Sequence, residues 1–312
     1  MSFPALPRSA PGEVLLIGTC YEDGKVLWGG LLGEIGGREE GDVRVLDGEV
    51  RLRPVADSAW HYLHGGNIPA LVPTDGVLPP VAVLADIPVV YGGDGPLLVD
   101  LAATPGRGVR VPAARLGEIL AEVLAGRLEF DDLVGAMDTY GMYQGEGGRP
   151  AHPAATALPR RAFPTLPATE AALLVRTSFD DEPGWRALLD ELGGTDEDGW
   201  VNADPDLDDI DPDHYPVQAL VVDDHAFEGL LPGQVPALVP PHEHATLVAL
   251  ADARTFTEPG RPLTVVDLYD VPGRSAVLPC RQVGSMACNL EIANMDFDDF
   301  VAVEGEKPWW DA

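Results

Sequence analysis

Apolar residues along this chain come in short, bounded runs, and the runs come twice. "EVLLIGT" from Glu13 and "ALLVRT" from Ala172 are apolar stretches closed by polar residues, the pattern of a buried strand. A helix is predicted after each. In the second half Trp185, Leu188, Leu189 and Leu192 recur at i, i+3, i+4 and i+7, which makes one apolar face, and Gly193 and Gly194 supply a stop. A second strand and a short helix around "GLLPGQVPALVP" come next. "TLVALAD" and "LTVVDLYD" then read as two strands joined by a Gly/Pro connection, most simply a hairpin, with a third at "SAVLP" or, in the first half, "GVRVP". The last element is helical: "ARLGEILAEVLAG" is amphipathic, and the following "LEFDDLVGAM" turns Phe130 and Leu133 inward. The order β-α-β-α-β-β-β-α predicts an α/β or α+β fold, two homologous sandwich domains each built on one mixed sheet with helices packed on it.

The repetition is explicit in the residues. "VAVLADIPVVYGGDGPLLVDLAATPGRGVRVP" from Val81 matches "LVALADARTFTEPGRPLTVVDLYDVPGRSAVLP" from Leu247 in its LAD, VDL and PGR blocks. Asp100 pairs with Asp267, Arg107 with Arg274 and Glu129 with Asp296, each 167 residues on, which is the mark of an internal duplication. Upstream the offset is smaller: Gly37 and Gly194 are 157 apart, so the second copy carries about ten additional residues in between. We place the copies at residues 11–143 and 169–312, joined by a Pro/Ala/Gly-rich linker at 144–168, with an inserted loop around 200–214. Two such copies could pack as an intramolecular pseudo-dimer.

Composition changes the picture in one respect. The 312 residues are 46% hydrophobic, enough for two packed cores, yet the formal net charge is −31. Residues 1–150 hold 21 acidic and 11 basic residues, and residues 151–312 hold 30 and 9, so the second copy carries most of the field. A surface of this sign repels phosphate backbones and anionic lipid and attracts basic proteins or cations, so nucleic-acid and membrane binding are disfavoured. Cys20, Cys280 and Cys288 are odd in number and lack CxxC spacing, and prolines interrupt the first eighteen residues where a signal peptide needs an apolar core. The expectation is a cytoplasmic protein. Its Ala, Gly, Pro, Arg and Asp against few lysines suggest a high-GC bacterial genome.

Candidate chemistry concentrates in the second copy. Asp204, Asp206, Asp208, Asp209, Asp211 and Asp213 crowd the inserted loop, but the stretch lacks the glycine and closing glutamate of a calcium loop. It reads as a solvated acidic loop, with contact to a basic protein partner as its functional use. His242 and His244 in "PHEH" have a spacing that metal sites use, and Asp252 and Asp267 fall on neighbouring strands. Together these four define the alternative, a divalent-metal-dependent hydrolase or metal-regulated protein. The aspartates Asp86/Asp252 and Asp100/Asp267 also have a plainer use, capping turns, with Arg107 and Arg274 as ion partners. Cys20 and Ser178 share a position after the first strand, without an elbow, base or oxyanion hole, and helix capping by "TSFDD" accounts for the hydroxyls. Trp309 and Trp310 read as covering a hydrophobic edge. The preferred reading is a non-catalytic acidic protein without a cofactor.

Through "LLVRTSFDD…W", "DDHAFEGL", "LVALADARTFTEPGRPLTVVDLYD" and "NLEIANMDFDDF", the second copy resembles a family of small single-domain proteins of unknown function from high-GC bacteria. The first copy looks like a divergent member, with Gly18 for Arg176 and "LAGRLEFDD" for "IANMDFDD", so a family site using Arg176 or Asn294 would be lost from it. The ending, strands followed by VDL and a final "DFDDF", is similar to that of SUKH-type immunity proteins. That resemblance implies an acidic single-domain binder that neutralises a toxin.

Overall fold

The computed structural model describes residues 3–73, 79–145, 162–203, 215–240 and 245–301. The chain divides into two compact units, Met1–Arg160 with Tyr269–Pro272, and Arg161–Leu268 with Gly273–Ala312. Each is a mixed α/β sandwich, as the order of apolar runs predicts.

In the first unit the strands are β1 (Glu13–Gly18), β2 (Tyr21–Glu22), β3 (Lys25–Val26), β4 (Arg38–Glu40), β5 (Val43–Val45), β6 (Arg51–Ala56), β7 (Val81–Ala85), β8 (Leu97–Asp100) and β9 (Gly108–Arg110). The helices are α1 (Leu31–Glu34), α2 (Ile68–Leu71), α3 (Leu116–Leu124) and α4 (Phe130–Gly135). Seven strands form one sheet in the order β4-β5-β6-β1-β7-β8-β9. β1 is central and runs parallel to β6 and β7, whereas β8 and β9 return antiparallel. All six of its residues are buried, because both faces of the sheet are covered. Leu16, Val83 and Leu98 meet Leu116, Leu120 and Phe130 on one face. Leu15, Ile17 and Leu84 meet Trp60, Leu63 and Ile68 on the other.

The second unit repeats the plan with β10 (Ala172–Arg176), β11 (Trp200–Val201), β12 (Ala219–Val222), β13 (Val248–Ala251), β14 (Leu263–Val266) and β15 (Ser275–Leu278). Its helices are α5 (Glu182–Glu191), α6 (Ala253–Thr257) and α7 (Val283–Glu291). The sheet order is β11-β12-β10-β13-β14-β15, with β10 parallel to β12 and β13 and the β13–β14 and β14–β15 pairs antiparallel. Trp185 and Leu188 of α5 and Met286 of α7 pack with Leu174, Ala249 and Val265 of the sheet. Residues 202–218 lie between β11 and β12 where residues 46–50 join β5 to β6, and most of the inserted loop expected around 200–214 lies outside the described residues.

One expected helix differs between the copies. After β10 the chain forms α5, its start fixed by the Asp181 carboxylate, which accepts from Gly184 N at 2.9 Å, and by proline in the first turn. After β1 it makes a β2–β3 hairpin and only the single turn of α1. Asp23 (φ +50°) and Gly24 (φ +73°) are both left-handed, the turn that closes a two-residue hairpin, and Gly29, Gly30 and Gly33 weaken any longer helix.

A shared constraint appears at the final helices. A Cβ on Gly284 of α7 would lie 1.9 Å from the Tyr215 carbonyl oxygen and 2.5 Å from Val217 N. The corresponding Gly117 of α3 would meet Asp47 N and Leu46 Cβ at 3.1 Å. Helix and neighbouring chain touch backbone to backbone in both copies, more tightly in the second. Gly284→Ala is therefore expected to cost about 3 kcal/mol of stability, and Gly117→Ala about 1 kcal/mol. Denaturant unfolding of the two variants checks this ordering; equal midpoints would contradict it.

Candidate functional site

In both sheets the chain leaves the central strand first to one parallel neighbour and then to the other. The carboxyl ends of β1 and β7, and of β10 and β13, therefore flank a topological switch point, where sheets of this kind hold their ligands. An arginine ends β10 there. A strand otherwise built of Ala, Leu and Val that closes on Arg must supply that charge with partners.

Arg176 is 3% exposed, and two of its three guanidinium nitrogens find acceptors. Nη1 donates to Glu182 Oε2 at 2.8 Å and to Asp223 Oδ1 at 3.2 Å, and Nε donates to the Ser178 carbonyl at 3.2 Å. Its faces lie under the rings of Phe179, at 4.5 Å, and Trp185, at 5.3 Å, where cation–π attraction adds to packing. Trp185 Nε1 donates to the other Asp223 oxygen at 2.9 Å, so one carboxylate locks arginine and indole together. His225 stacks on Phe179 at 3.9 Å. Hydrogen bonds from Arg176 and then from Arg186 hold the Glu182 carboxyl below its ordinary range. The exposed carboxylates Asp180, Asp224 and Glu228 stand on the same loops.

The first copy lacks this cluster. Gly18 takes the place of Arg176, and a Cβ there would lie 2.3 Å from Val26 Cγ2 and 3.1 Å from the Trp28 ring, so apolar groups fill the space. Ala56 takes the place of Asp223. Arginine and partner are absent together, which leaves no orphaned charge. Asp86 instead receives both terminal nitrogens of the buried Arg110, at 2.9 and 3.1 Å. Beside it Cys20 is buried, its thiol pushed up by burial and then by the charges of Asp86 and Glu22, the opposite of an activated nucleophile.

Asp204, Asp206, Asp208, Asp209, Asp211, Asp213, His242, His244, Trp309 and Trp310 lie outside the described residues. Asp252 caps α6, accepting from Arg254 N at 2.8 Å and Thr264 Oγ1 at 2.9 Å. Asp267 is 3% exposed and ion-paired with Arg274 at 3.0 Å. The β13–β14 register pairs Val248 with Val266, which sends Asp252 and Asp267 to opposite ends of the strand pair. Five strand positions separate those ends, about 16 Å, too far for both carboxylates to ligate one ion. The Asp86/Asp100 pair is split in the same way by the Val81–Asp100 register. The two strands are neighbours as expected, but their antiparallel return puts the two carboxylates at opposite ends of the pair. Among the described residues, no group of three or more His, Cys, Asp or Glu is placed to hold a metal ion. The capping expected of "TSFDD" is carried by Asp181, whereas the Thr177 hydroxyl donates to the Ala251 carbonyl at 3.3 Å and ties β10 to β13. Asn294 makes a local bond to Asn289 at 2.7 Å.

Sequence reasoning missed a cavity of about 380 Å3 in the second unit, lined by the end of α5, the chain entering β12 and the turn before α7. Leu192, Tyr215, Pro216 and Val217 supply its apolar wall, and Glu191, Asn202, Cys280 and Arg281 its polar groups. Glu191 accepts from Arg281 Nε at 2.9 Å and from Arg261 Nη1. Burial, then the Glu191 charge, pushes the Cys280 thiol up to about 11.

The arrangement is that of a tandem of one mixed α/β domain. A family model described as a domain of unknown function (DUF6924) matches residues 13–146 and again residues 171–308, and the chain belongs to this family, holding its domain twice. No curated protein and no solved structure matches the chain. Among the described residues, no helix is long and apolar enough to cross a membrane.

Two thiols are predicted to be inert. Cys20 and Cys280 should alkylate far more slowly at pH 8 in the folded protein than after unfolding, as followed by peptide mass spectrometry. The folded Cys280 thiol titrates above its ordinary value of 9.0, so its contribution to stability is full below pH 9 and is lost as the pH rises through about 11. Cys280→Ala should flatten the unfolding profile in that window. Rapid labelling of folded Cys280 at pH 8 would contradict the assignment.

Proposed function

We propose that the protein is a non-catalytic, acidic tandem-domain binder of the bacterial cytoplasm, and that its second copy engages a basic protein partner. The observation that carries this reading is the cluster at the carboxyl edge of the second sheet. Arg176 has its charge taken up by Glu182 and Asp223, while the adjoining loops carry the exposed carboxylates Asp180, Asp224 and Glu228. The rigid Trp185–Arg176–Phe179 stack holds these loops in place, and acidic loops on a rigid base favour fast, salt-sensitive association with a positive surface. The residues Asp204 to Asp213 belong to the same copy and would extend that field. The buried Asp100–Arg107 and Asp267–Arg274 pairs fit structural roles, and the raised thiols of Cys20 and Cys280 fit no nucleophilic one. An immunity-like role, neutralising a basic toxin or a nucleic-acid-binding protein, follows from the acidic binding edge and from the duplication, since tandem modules gain by avidity or diverge in target.

Two variants test the proposal: residues 203–213 replaced by a neutral Gly/Ser loop, and Asp180→Asn/Asp224→Asn/Glu228→Gln, which keeps side-chain acceptors at each position. A basic protein captured from the native strain, purified and titrated against wild type is expected to bind roughly tenfold more weakly between about 50 and 300 mM salt, and more weakly to either variant. Binding indifferent to salt and to both variants would refute the reading.

A further inference from the structure

The cavity beside Glu191 has a charge that runs against the rest of its unit. Residues 151–312 contain 30 acidic and 9 basic residues, yet two of those nine, Arg261 and Arg281, meet at this one place and share a single carboxylate. Among the described residues Glu191 neutralises one of the two, so this group of three carries a net positive charge. Arg281 spends only Nε on Glu191; among the described residues its two terminal nitrogens make no hydrogen bond, and its side chain is 62% exposed.

The first copy shows that the fold does not require this arrangement. Asp94, Ala113 and Ala114 occupy the positions of Arg261, Cys280 and Arg281, each 167 residues earlier. The second copy is the more acidic of the two, and it nevertheless replaces an aspartate and an alanine with arginines here. Arg261 is also held at φ +43°, a left-handed backbone that costs a non-glycine residue energy and that marks functional sites when surrounding structure enforces it. Asn202, another left-handed residue at φ +50°, closes the opposite wall by donating Nδ2 to the Leu192 and Val217 carbonyls at 2.8 and 3.0 Å.

We propose that this cavity binds a small organic anion, a carboxylate on an apolar body, with the carboxylate paired to the terminal nitrogens of Arg281 and the body against Leu192, Pro216 and Val217. The volume lies within the range of small-ligand sites, and a mostly apolar wall with a few convergent polar groups is their usual lining. One net positive charge matches a monoanion. A dianion such as phosphate would face Glu191 and a protein of net charge −31 with no apolar contact in return. A cation would meet two guanidinium groups.

The test titrates the full chain with benzoate, octanoate and naphthalene-2-carboxylate by calorimetry and thermal shift, beside benzylamine, octylamine and inorganic phosphate. At least one carboxylate is expected to saturate at one site per chain and to raise the melting temperature, with no saturable binding of the amines or phosphate. Arg281→Gln, at an exposed side chain, is expected to weaken that carboxylate about tenfold and Arg281→Lys to restore part of the loss. Arg261→Gly removes the second cation while relieving the left-handed backbone, so it should weaken binding without lowering the melting temperature of the free protein. No saturable carboxylate, amines that bind equally well, or an Arg281→Gln variant that binds as wild type would each overturn the proposal.

Discussion

A buried aspartate–arginine pair, present once in each copy, is the constraint on which the rest of the fold depends. Asp267 and Arg274 are each 3% exposed, with Arg274 Nε and Nη2 donating to one Asp267 oxygen at 3.3 and 3.0 Å. Their backbones close on each other too, Asp267 N donating to the Arg274 carbonyl at 2.8 Å. The guanidinium lies 5.1 Å from the Phe297 ring, so the turn between β14 and β15 is fastened to the last helical segment. In the first copy the Asp100 carboxylate gathers the amides of Ala102, Ala103 and Thr104 at 2.8–2.9 Å, while Arg107 reaches both Asp100 and Asp131 and lies 5.3 Å from Phe130. Two such charges are costly to desolvate, and either one left alone would be costlier still, so the pair persists in both copies as a unit.

With the frame held in this way, the edges of the sheets are free to differ, and they do. At the carboxyl edge the second copy has Arg176 with Asp223, and the first has Gly18 with Ala56 and an apolar filling from Val26 and Trp28. At the opposite end of α5 the second copy has Arg261, Cys280 and Arg281 where the first has Asp94, Ala113 and Ala114. The first difference changes a buried charge and its counter-charge together, whereas at the second the carboxylate stays, as Glu34 and Glu191, and only the arginines are new. The chemistry that distinguishes the protein therefore lies in the second copy, with the first providing the same scaffold stripped of these charges.

Much of this was legible in the sequence because burial writes itself as periodicity. The strands "EVLLIG" and "ALLVR", the helix face of Trp185, Leu188 and Leu192, the inward Phe130 and Leu133, and the pairing of Asp267 with Arg274 could all be read from spacing or from repetition. What escaped depends on strand direction and on contacts between distant segments. Asp252 and Asp267 look adjacent until the antiparallel register separates them, and the cavity joins Glu191, Tyr215 and Arg281, which no sequence window contains. The β2–β3 hairpin had a local signal in Asp23–Gly24, overshadowed by the expectation that the first copy would repeat the helix of the second.

The most direct test of the structural claim is a double-mutant cycle on Asp267 and Arg274, with Asp267→Ala, Arg274→Ala and the double variant followed through the unfolding transition of the second unit. A pair that fastens the turn to the last helical segment, at Phe297, predicts that each single change is severe and that the double costs little more than either, a coupling of about 2 kcal/mol or above. Two single losses that add within about 0.5 kcal/mol would mean that the two side chains act independently, and that something else holds the copy together.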